Sequence, residues 1–203
     1  MNAENWNETL RSIARRHSVR MFEDKPVPEE LIGAILRAAN QAPSAHNQQS
    51  WRFVIVRGEK KQELAHLVTS RASAFPRTTS ALLRMAARSI VSAPVVVAVA
   101  NTGELMARGR DLFKIEEAAA RDFLRTMEIQ NSAAAVENLL VAATSLGLAT
   151  VWLGILFLIK DDVLEFLGEP RGEFMAVVPV GYAARETAGP KKVPVEKVVR
   201  YLE

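Results

Sequence analysis

A polar turn lies between two apolar stretches of the sequence. It runs from Pro43 to Gln49 and contains no glycine. Pro43 disfavours a helical conformation in the residue before it, so a helix that runs up to this point must end here. The hydroxyl of Ser44 and the amide of Asn47, held between two buried elements, can present polar atoms to a ligand. An ordinary polar helix-to-strand connection is the alternative, and these residues alone favour neither.

A second group of residues has the chemistry to bind an anion. Arg16 and Arg20 flank Ser18 near the N-terminus. Guanidinium groups donate in forks that match phosphate, and a hydroxyl adds a further donor. Lys192, far along the chain, can add a point charge. The alternative is a solvated helix end and a surface lysine.

The remaining reactive residue types exclude several kinds of chemistry. The chain has no cysteine, which excludes disulfides, thiolate catalysis and cysteine-ligated metals. Its histidines, His17, His46 and His66, share no metal-ligand spacing, and no nucleophile–base arrangement is visible. We therefore assign no catalytic side chain and no metal ligand.

Composition indicates an ordinary globular protein of one domain, 1–203. Of its 203 residues 49% are hydrophobic and 24% charged, enough for a sizeable core. The net charge of +3 is spread without runs, which argues against nucleic acid as a partner. The polar N-terminus lacks a signal-peptide pattern, and the longest apolar run, 91–100, is too short to cross a membrane. We expect a cytoplasmic protein that does not bind membranes.

Hydrophobic periodicity predicts the elements that position these residues. The pattern lapses between Asn101 and Lys114, which predicts a surface excursion over a cleft. Pro179, inside a strand pattern, predicts an edge or a bulge. About half helix with four strands indicates an α+β fold or a three-layer sandwich. Helices are predicted at 4–16, 31–39, 60–68, 81–90, 115–146 and 160–167, and strands at 51–56, 94–100, 149–154 and 174–182.

Four sequence blocks occur in a recognisable order. They are Arg16-His17-Ser18-Val19-Arg20-Met21-Phe22 with Pro26-Val27-Pro28, then Ala42-Pro43-Ser44 with Asn47, Gln49 and Trp51, then Gly147 to Gly154, then Val180-Gly181-Tyr182 with Lys192 and Pro194. Together they resemble the FMN-dependent nitroreductase family over residues 8–201. The chain departs from that pattern at Ser50, where the family usually has proline, and at Lys192, where it usually has arginine.

The resemblance implies a three-layer α/β/α sandwich with a central mixed, mainly antiparallel sheet and an excursion at about 101–114. It also implies an intertwined homodimer with FMN at the interface. Pro43, Ser44 and Asn47 would reach the flavin from the partner subunit. Arg16, His17, Ser18, Arg20 and Lys192 would hold the phosphate and ribityl chain in their own subunit.

Three further positions follow from the same resemblance. The backbone N–H groups of Leu153 and Gly154 would lie near the flavin N5, and Gly154 lets a backbone come close. Arg88 would lie near the pyrimidine edge, where a cation stabilises the charge that develops on reduction. Since Arg84 lies four residues before Arg88, the two could instead form an exposed helix face.

The implied function is a flavoprotein oxidoreductase. NAD(P)H reduces FMN, and after the product leaves, a nitroaromatic, quinone or activated alkene takes the electrons, in a ping-pong mechanism. One alternative is a same-fold FMN enzyme of specialised chemistry, such as dehalogenation, flavin cleavage or deazaflavin-cofactor maturation. Another is a non-catalytic basic binding protein.

Overall fold

A computed structural model describes residues 6–106 and 116–202 of the chain. Its central feature is a four-stranded sheet in the order β1-β2-β4-β3, in which every neighbouring pair of strands is antiparallel. The strands are β1 (Trp51–Val56), β2 (Val95–Asn101), β3 (Ala149–Thr150) and β4 (Glu173–Gly181). One parallel bridge joins Ser18 to Thr150 at the β3 edge. The predicted α+β class with a mixed, mainly antiparallel sheet is confirmed.

Helices cover the sheet on both faces. They are α1 (Glu8–Arg15), α2 (Glu29–Asn40), α3 (Gly58–Ala72), α4 (Arg77–Ser92), α5 (Glu117–Ser145) and α6 (Lys160–Phe166). Short 3₁₀ segments follow α2 at Ala45–Asn47, precede α6 at Gly154–Ile159 and lie in the tail at Val195–Lys197.

Strand β2 explains why the fold has three layers. All of its residues are buried, and they are almost continuously apolar. Because side chains alternate between the faces of a strand, Val96 and Ala98 pack into a core with α3, α4 and α6. Val97 and Val99 pack into a second core with α2 and α5. A strand buried on both faces requires a helical layer on each side, as the sequence predicted.

Helix α5 is the longest element that packs on the sheet. Val136 and Leu139 are fully buried against β2 and α2. Asn138 Nδ2 donates to the carbonyl of Ala38 in α2 at 3.2 Å, which joins the two helices through a polar contact. The helix ends before Gly147, which has φ +75° and therefore occupies a left-handed conformation that glycine adopts readily.

Two sequence predictions need correction. The predicted strand 149–154 ends at Thr150, although the N–H of Leu153 still donates to Val177 of β4 at 2.9 Å. Pro179 lies in an interior strand opposite Val96, and the register shift falls elsewhere, between Val99 and Ala100. The carbonyl of Val177 points toward β3, so two residues later the nitrogen of Pro179 points the same way and β2 loses no hydrogen bond.

The predicted excursion is described only in part. Asn101 still belongs to β2, and residues 104–106 form a helical turn. Residues 107–114 of the predicted excursion lie outside the described residues. Residues 4 and 5 of the predicted first helix do too.

Gly181 marks the closest packing at the end of β4. A Cβ at this position would lie 2.6 Å from Cδ of Pro94 and 3.2 Å from Cδ1 of Phe22. We predict that Gly181→Ala lowers the free energy of unfolding by about 1–3 kcal/mol, because a rigid ring and an aromatic edge must move. Chemical denaturation measures this change.

Gly33→Ala in α2 is the matched control. Its Cβ would meet only the flexible end of Arg37, at 3.0 Å, and alanine favours the helix over glycine by up to about 1 kcal/mol. The packing argument fails if the two variants unfold at the same denaturant concentration.

Candidate functional site

A cavity of about 570 Å³ lies between the segment after α1 and the C-terminal tail. Four basic side chains line it, and no carboxylate does. The lining residues are Ala14, Arg16, His17, Ser18, Val19, Arg20, Met21, Arg185, Thr187, Ala188, Gly189, Pro190 and Lys192. The five residues predicted to hold the phosphate and ribityl chain therefore all line this cavity. They are Arg16, His17, Ser18, Arg20 and Lys192.

The segment after α1 is fixed against the edge of the sheet. Its Val19 N–H donates to the carbonyl of Thr150 at 2.9 Å, and Phe22 bridges to Ala183. Val19 and Phe22 are buried, so Ser18 and Arg20, which alternate with Val19 in extended chain, are left exposed. This alternation explains why Arg16, Ser18 and Arg20, which are spaced two residues apart, line one wall of the cavity.

The tail forms the opposite wall through contacts with His17. The ring Nδ1 donates to the carbonyl of Arg15 at 2.8 Å, because a carbonyl oxygen can only accept. The ring Nε2 lies 2.8 Å from the hydroxyl of Thr187. A Cβ on Gly189 would lie 3.0 Å from the Cβ of His17, so the tail backbone approaches the ring closely. Both ring nitrogens of His17 are engaged within the protein.

The electrostatics of this cavity favour an anion. Arg16 Nε lies 3.3 Å from Glu137 Oε1, in a partly buried ion pair. Among the described residues, Arg20, Arg185 and Lys192 have no carboxylate within ion-pair distance. Three such cations around one space repel one another, and a phosphate relieves that repulsion with charge-assisted hydrogen bonds.

Sequence reasoning missed Arg185 and Thr187, which also line this cavity. Both lie between Tyr182 and Lys192, within the last of the four sequence blocks. A basic residue and a hydroxyl so close to a predicted anion ligand were the available signal.

A second cavity, of about 160 Å³, shares Arg20 with the first. Leu153 and Gly154 line it on one side, with mainly apolar residues of α4 on the other. The lining residues are Arg20, Leu82, Met85, Ala86, Ser89, Val151, Trp152, Leu153, Gly154 and Ile155. Arg20 thus lies between a charged cavity and a small, largely apolar one.

The two backbone N–H groups predicted here differ in availability. That of Leu153 is used by β4, as described above. That of Gly154 has no backbone acceptor within the described part of the chain. Gly154 is therefore the better placed of the two to donate to a ligand.

Arg88 is not brought to either cavity. It is exposed on α4, as is Arg84 one turn earlier, while Leu82, Met85 and Ser89 of that helix line the second cavity. In a single chain the pair forms an outer helix face, one of the two arrangements that the sequence left open.

The polar turn has a strained backbone. His46, Asn47 and Gln49 have φ values of 52°, 52° and 49°, in the left-handed region that residues with a Cβ rarely adopt. The hydroxyl of Ser44 accepts from the Gln49 N–H at 3.0 Å, and Asn47 Oδ1 accepts from Gln49 Nε2 at 2.8 Å. Strain of this kind persists where surrounding structure holds it, and it concentrates at functional sites.

The turn lies far from the cavities within one chain. It leads into β1 at Trp51, which pairs with Asn101 at one end of β2. The first cavity lies beside Thr150, which pairs with Val180, and Val180 pairs with Val95 at the other end. These ends are about 20 Å apart at roughly 3.4 Å per residue. A single chain therefore does not bring Pro43, Ser44 and Asn47 to the predicted arginines.

A buried carboxyl group lies beneath the turn. Glu128 of α5 is fully buried, and its Oε1 accepts from the N–H of Leu105 at 2.7 Å. Burial raises the pKa of Glu128, and the N–H groups of Leu105 and Met106 partly oppose this by favouring the ionised form. Sequence reasoning missed Glu128, since one glutamate in a long helix reads as a surface residue.

Two other kinds of site are absent from the part of the chain that the structure describes. No group of three or more His, Cys, Asp or Glu side chains there could hold a metal ion. No helix within residues 6–106 and 116–202 has the length and apolar character needed to span a membrane.

Comparison with known proteins points to one family. The nitroreductase family model matches residues 13–182. An NADH dehydrogenase of Thermus thermophilus is 29% identical, over 91% of this chain and 91% of that protein. An FMN reductase [NAD(P)H] of Bacillus subtilis is 25% identical, over 95% of this chain and 72% of its own. The crystal structure of a nitroreductase with bound FMN from Desulfitobacterium hafniense is similar with a TM-score of 0.75 at 25% identity, covering 98% of this chain and all of that one.

The raised pKa of Glu128 predicts a pH dependence of stability. The folded state keeps this proton to a higher pH than the unfolded chain, whose glutamate titrates near its ordinary value of 4.5. The stability that the neutral form contributes is therefore present below that value and is lost as pH rises through the folded pKa. Glu128→Gln cannot ionise, so we expect its stability relative to the unmodified protein to increase as pH rises above 4.5.

Unfolding free energies from urea denaturation at several pH values measure this difference. Asp122→Asn, which neutralises an exposed carboxylate on the same helix, is the control and should leave the pH dependence unchanged. Parallel stability curves for Glu128→Gln and the unmodified protein would contradict the prediction.

Proposed function

Because the chain belongs to the nitroreductase family, we propose that its two adjoining cavities bind FMN and that the protein passes electrons from NAD(P)H to a small electrophilic acceptor. The observation that carries this proposal is that the two cavities share Arg20 in their lining. A cationic space beside a narrow apolar one suits a ligand with a charged phosphate at one end and a flat ring at the other.

The first cavity fits the phosphate and the ribityl chain. Arg16, Arg20 and Arg185 offer forked donors, and Lys192 adds a charge from the tail. The hydroxyl of Ser18 can donate to a phosphate oxygen. Arg16 lies beside these donors in its partly buried ion pair with Glu137, which keeps the guanidinium at this wall of the cavity.

The second cavity fits one edge of the flavin ring. Leu82, Met85 and Ala86 make its wall apolar and exclude water from the ring. The N–H of Gly154 is available to a ring acceptor, which is the role expected for it near N5. The lining residues Leu153 and Trp152 are held by hydrogen bonds to β4, so this wall is rigid.

The protein contributes position and electrostatics, since the cofactor carries the redox chemistry. Bound FMN would accept a hydride from a nicotinamide and deliver electrons to the acceptor. The cations of the first cavity would hold the phosphate end of the cofactor, and the apolar wall of α4 would keep solvent from its ring. Among the described residues no carboxylate lines either cavity, and both nitrogens of His17 are engaged. A nicotinamide and an acceptor that bind in turn at one site would give ping-pong kinetics.

A complete site needs a second copy of the chain. The strained turn at Pro43, Ser44 and Asn47 lies the length of β2 away from the arginines, so only another subunit can bring such a turn to this cavity. We propose a homodimer with FMN at its interface, in which each turn serves the partner's cofactor.

The C-terminal tail supports this assembly. Residues 184–202 are exposed throughout in one chain. They include large apolar side chains, with Val198 70%, Tyr201 84% and Leu202 83% exposed. An apolar arm of this length is unfavourable in water and is expected to pack on a partner, as in large, obligate interfaces.

Anaerobic reduction tests the proposed function. We expect the purified protein to be a yellow dimer whose flavin absorbance bleaches on addition of NADH or NADPH. The colour should return when a nitroaromatic, a quinone or an activated alkene is added. A colourless protein that binds no FMN would favour a non-catalytic binding protein. Bound FMN that neither nicotinamide reduces would favour a specialised same-fold chemistry.

Substitution of the phosphate ligands tests the cavity itself. Arg20→Ala should weaken FMN binding at least about 30-fold, because it removes a charge-assisted forked donor at the junction of the two cavities. Lys192→Ala should have a smaller effect, since a point charge on a flexible stem is more easily replaced by solvent. FMN dissociation constants from fluorescence titration measure both.

Arg84→Ala, an exposed arginine outside both cavities, is the control and should leave FMN binding unchanged. Arg88→Ala measures whether that residue reaches the pyrimidine edge in the dimer. Retention of tightly bound FMN by Arg20→Ala through dialysis would place the phosphate elsewhere.

A further inference from the structure

Two buried side chains of α5 hold the polar turn and the segment after β2. Asn131 Oδ1 accepts from the N–H of Ala45 in the turn at 3.1 Å. Glu128 Oε1 accepts from the N–H of Leu105 at 2.7 Å. Residues three apart lie on one face of a helix, so a single face of α5 contacts both segments. The segments also contact each other, since the Thr102 N–H donates to the carbonyl of Ser50 at 2.8 Å.

This cluster of buried polar side chains lowers the stability of the fold. Glu128 is fully buried, and Asn131 is 7% exposed. Thr102 Oγ1 and Asn131 Nδ2 are buried with no hydrogen-bond partner within the described part of the chain. Unpartnered buried polar atoms each cost free energy, and apolar side chains of similar size would cost less.

The same place carries the strained backbone of the turn. His46, Asn47 and Gln49 hold left-handed φ values directly above Asn131. A fold that gathers buried polar atoms and backbone strain at one point gives up stability there for a defined geometry. Glu128 and Asn131 are the α5 side chains that accept hydrogen bonds from backbone N–H groups of the turn and of the segment after β2.

We propose that Glu128 and Asn131 are positioning residues, which hold the turn at residues 43–49 in the conformation that receives the partner subunit's cofactor. This inference rests on the proposed function. The pair itself touches neither cavity. When the hydrogen bonds are lost, the turn spends less time in the competent conformation, and the apparent dissociation constant rises by the reciprocal of that fraction.

FMN affinity of the folded dimer, measured well below its unfolding temperature, tests this role. Glu128→Met and Asn131→Leu keep the volume but remove the acceptors, and each should raise the FMN dissociation constant about 10-fold, the effect of one lost buried hydrogen bond. Glu128→Gln keeps an acceptor for the Leu105 N–H and should stay within about 3-fold of the unmodified protein.

Two controls separate positioning from stability. Val163→Ala removes packing from a fully buried residue of α6 on the other face of the sheet, so it should lower the unfolding temperature without changing FMN affinity. Asp122→Asn should change neither. If Glu128→Met does not fold, Asn131→Leu and Glu128→Gln carry the test.

Three results would overturn the proposal. The acceptors are not needed if Asn131→Leu binds FMN like the unmodified protein. The effect is general destabilisation if Val163→Ala weakens binding as much as the α5 variants. The acceptor argument fails if Glu128→Gln binds as weakly as Glu128→Met. An unmodified protein that binds no FMN would instead refute the proposed function.

Discussion

The length and burial of β2 constrain the rest of this molecule. Its residues are buried on both faces, so the strand cannot bend or shift without opening two cores at once. One end of the strand carries the turn that leads into Trp51, and the other end lies beside the cationic cavity. The strand therefore holds the polar turn and the cationic cavity at a fixed separation. Any site that uses both must be assembled from two chains.

Each end of the strand is built at a cost in stability. The cationic end gathers Arg20, Arg185 and Lys192 around one cavity without a carboxylate among its lining residues. The other end holds left-handed residues over a buried glutamate. Neither arrangement stabilises an isolated chain. Both become favourable if a dianionic cofactor neutralises the cations and a partner subunit covers the exposed apolar tail.

Features that depend on residues close together in the sequence could be predicted, and features that depend on residues far apart in the chain could not. The strands predicted at 51–56 and 94–100 are local patterns, and the structure has them at Trp51–Val56 and Val95–Asn101. The early end of β3 and the position of Pro179 depend on pairing with β4, which local patterns do not describe. Glu128 could not be recognised, because its burial is set by residues 102–106 and by the turn rather than by its neighbours in α5. Arg88 lies exposed on α4, and a local pattern does not describe what such a face contacts.

The central claim is that one cofactor site takes its phosphate ligands from one chain and its polar turn from another. Mixed dimers of Arg20→Ala with a Ser44→Ala, Asn47→Ala double variant test it most directly. In such a dimer one site carries both defects and the other carries none. We predict one tight FMN site per mixed dimer, with the affinity of the unmodified protein, although both parent homodimers bind weakly. Mixed dimers of Arg20→Ala with Lys192→Ala should have no tight FMN site, because both substitutions remove phosphate ligands and each site then carries one of them. Absence of a tight site in the first mixed dimer, with both parents weakened, would contradict a site shared between chains.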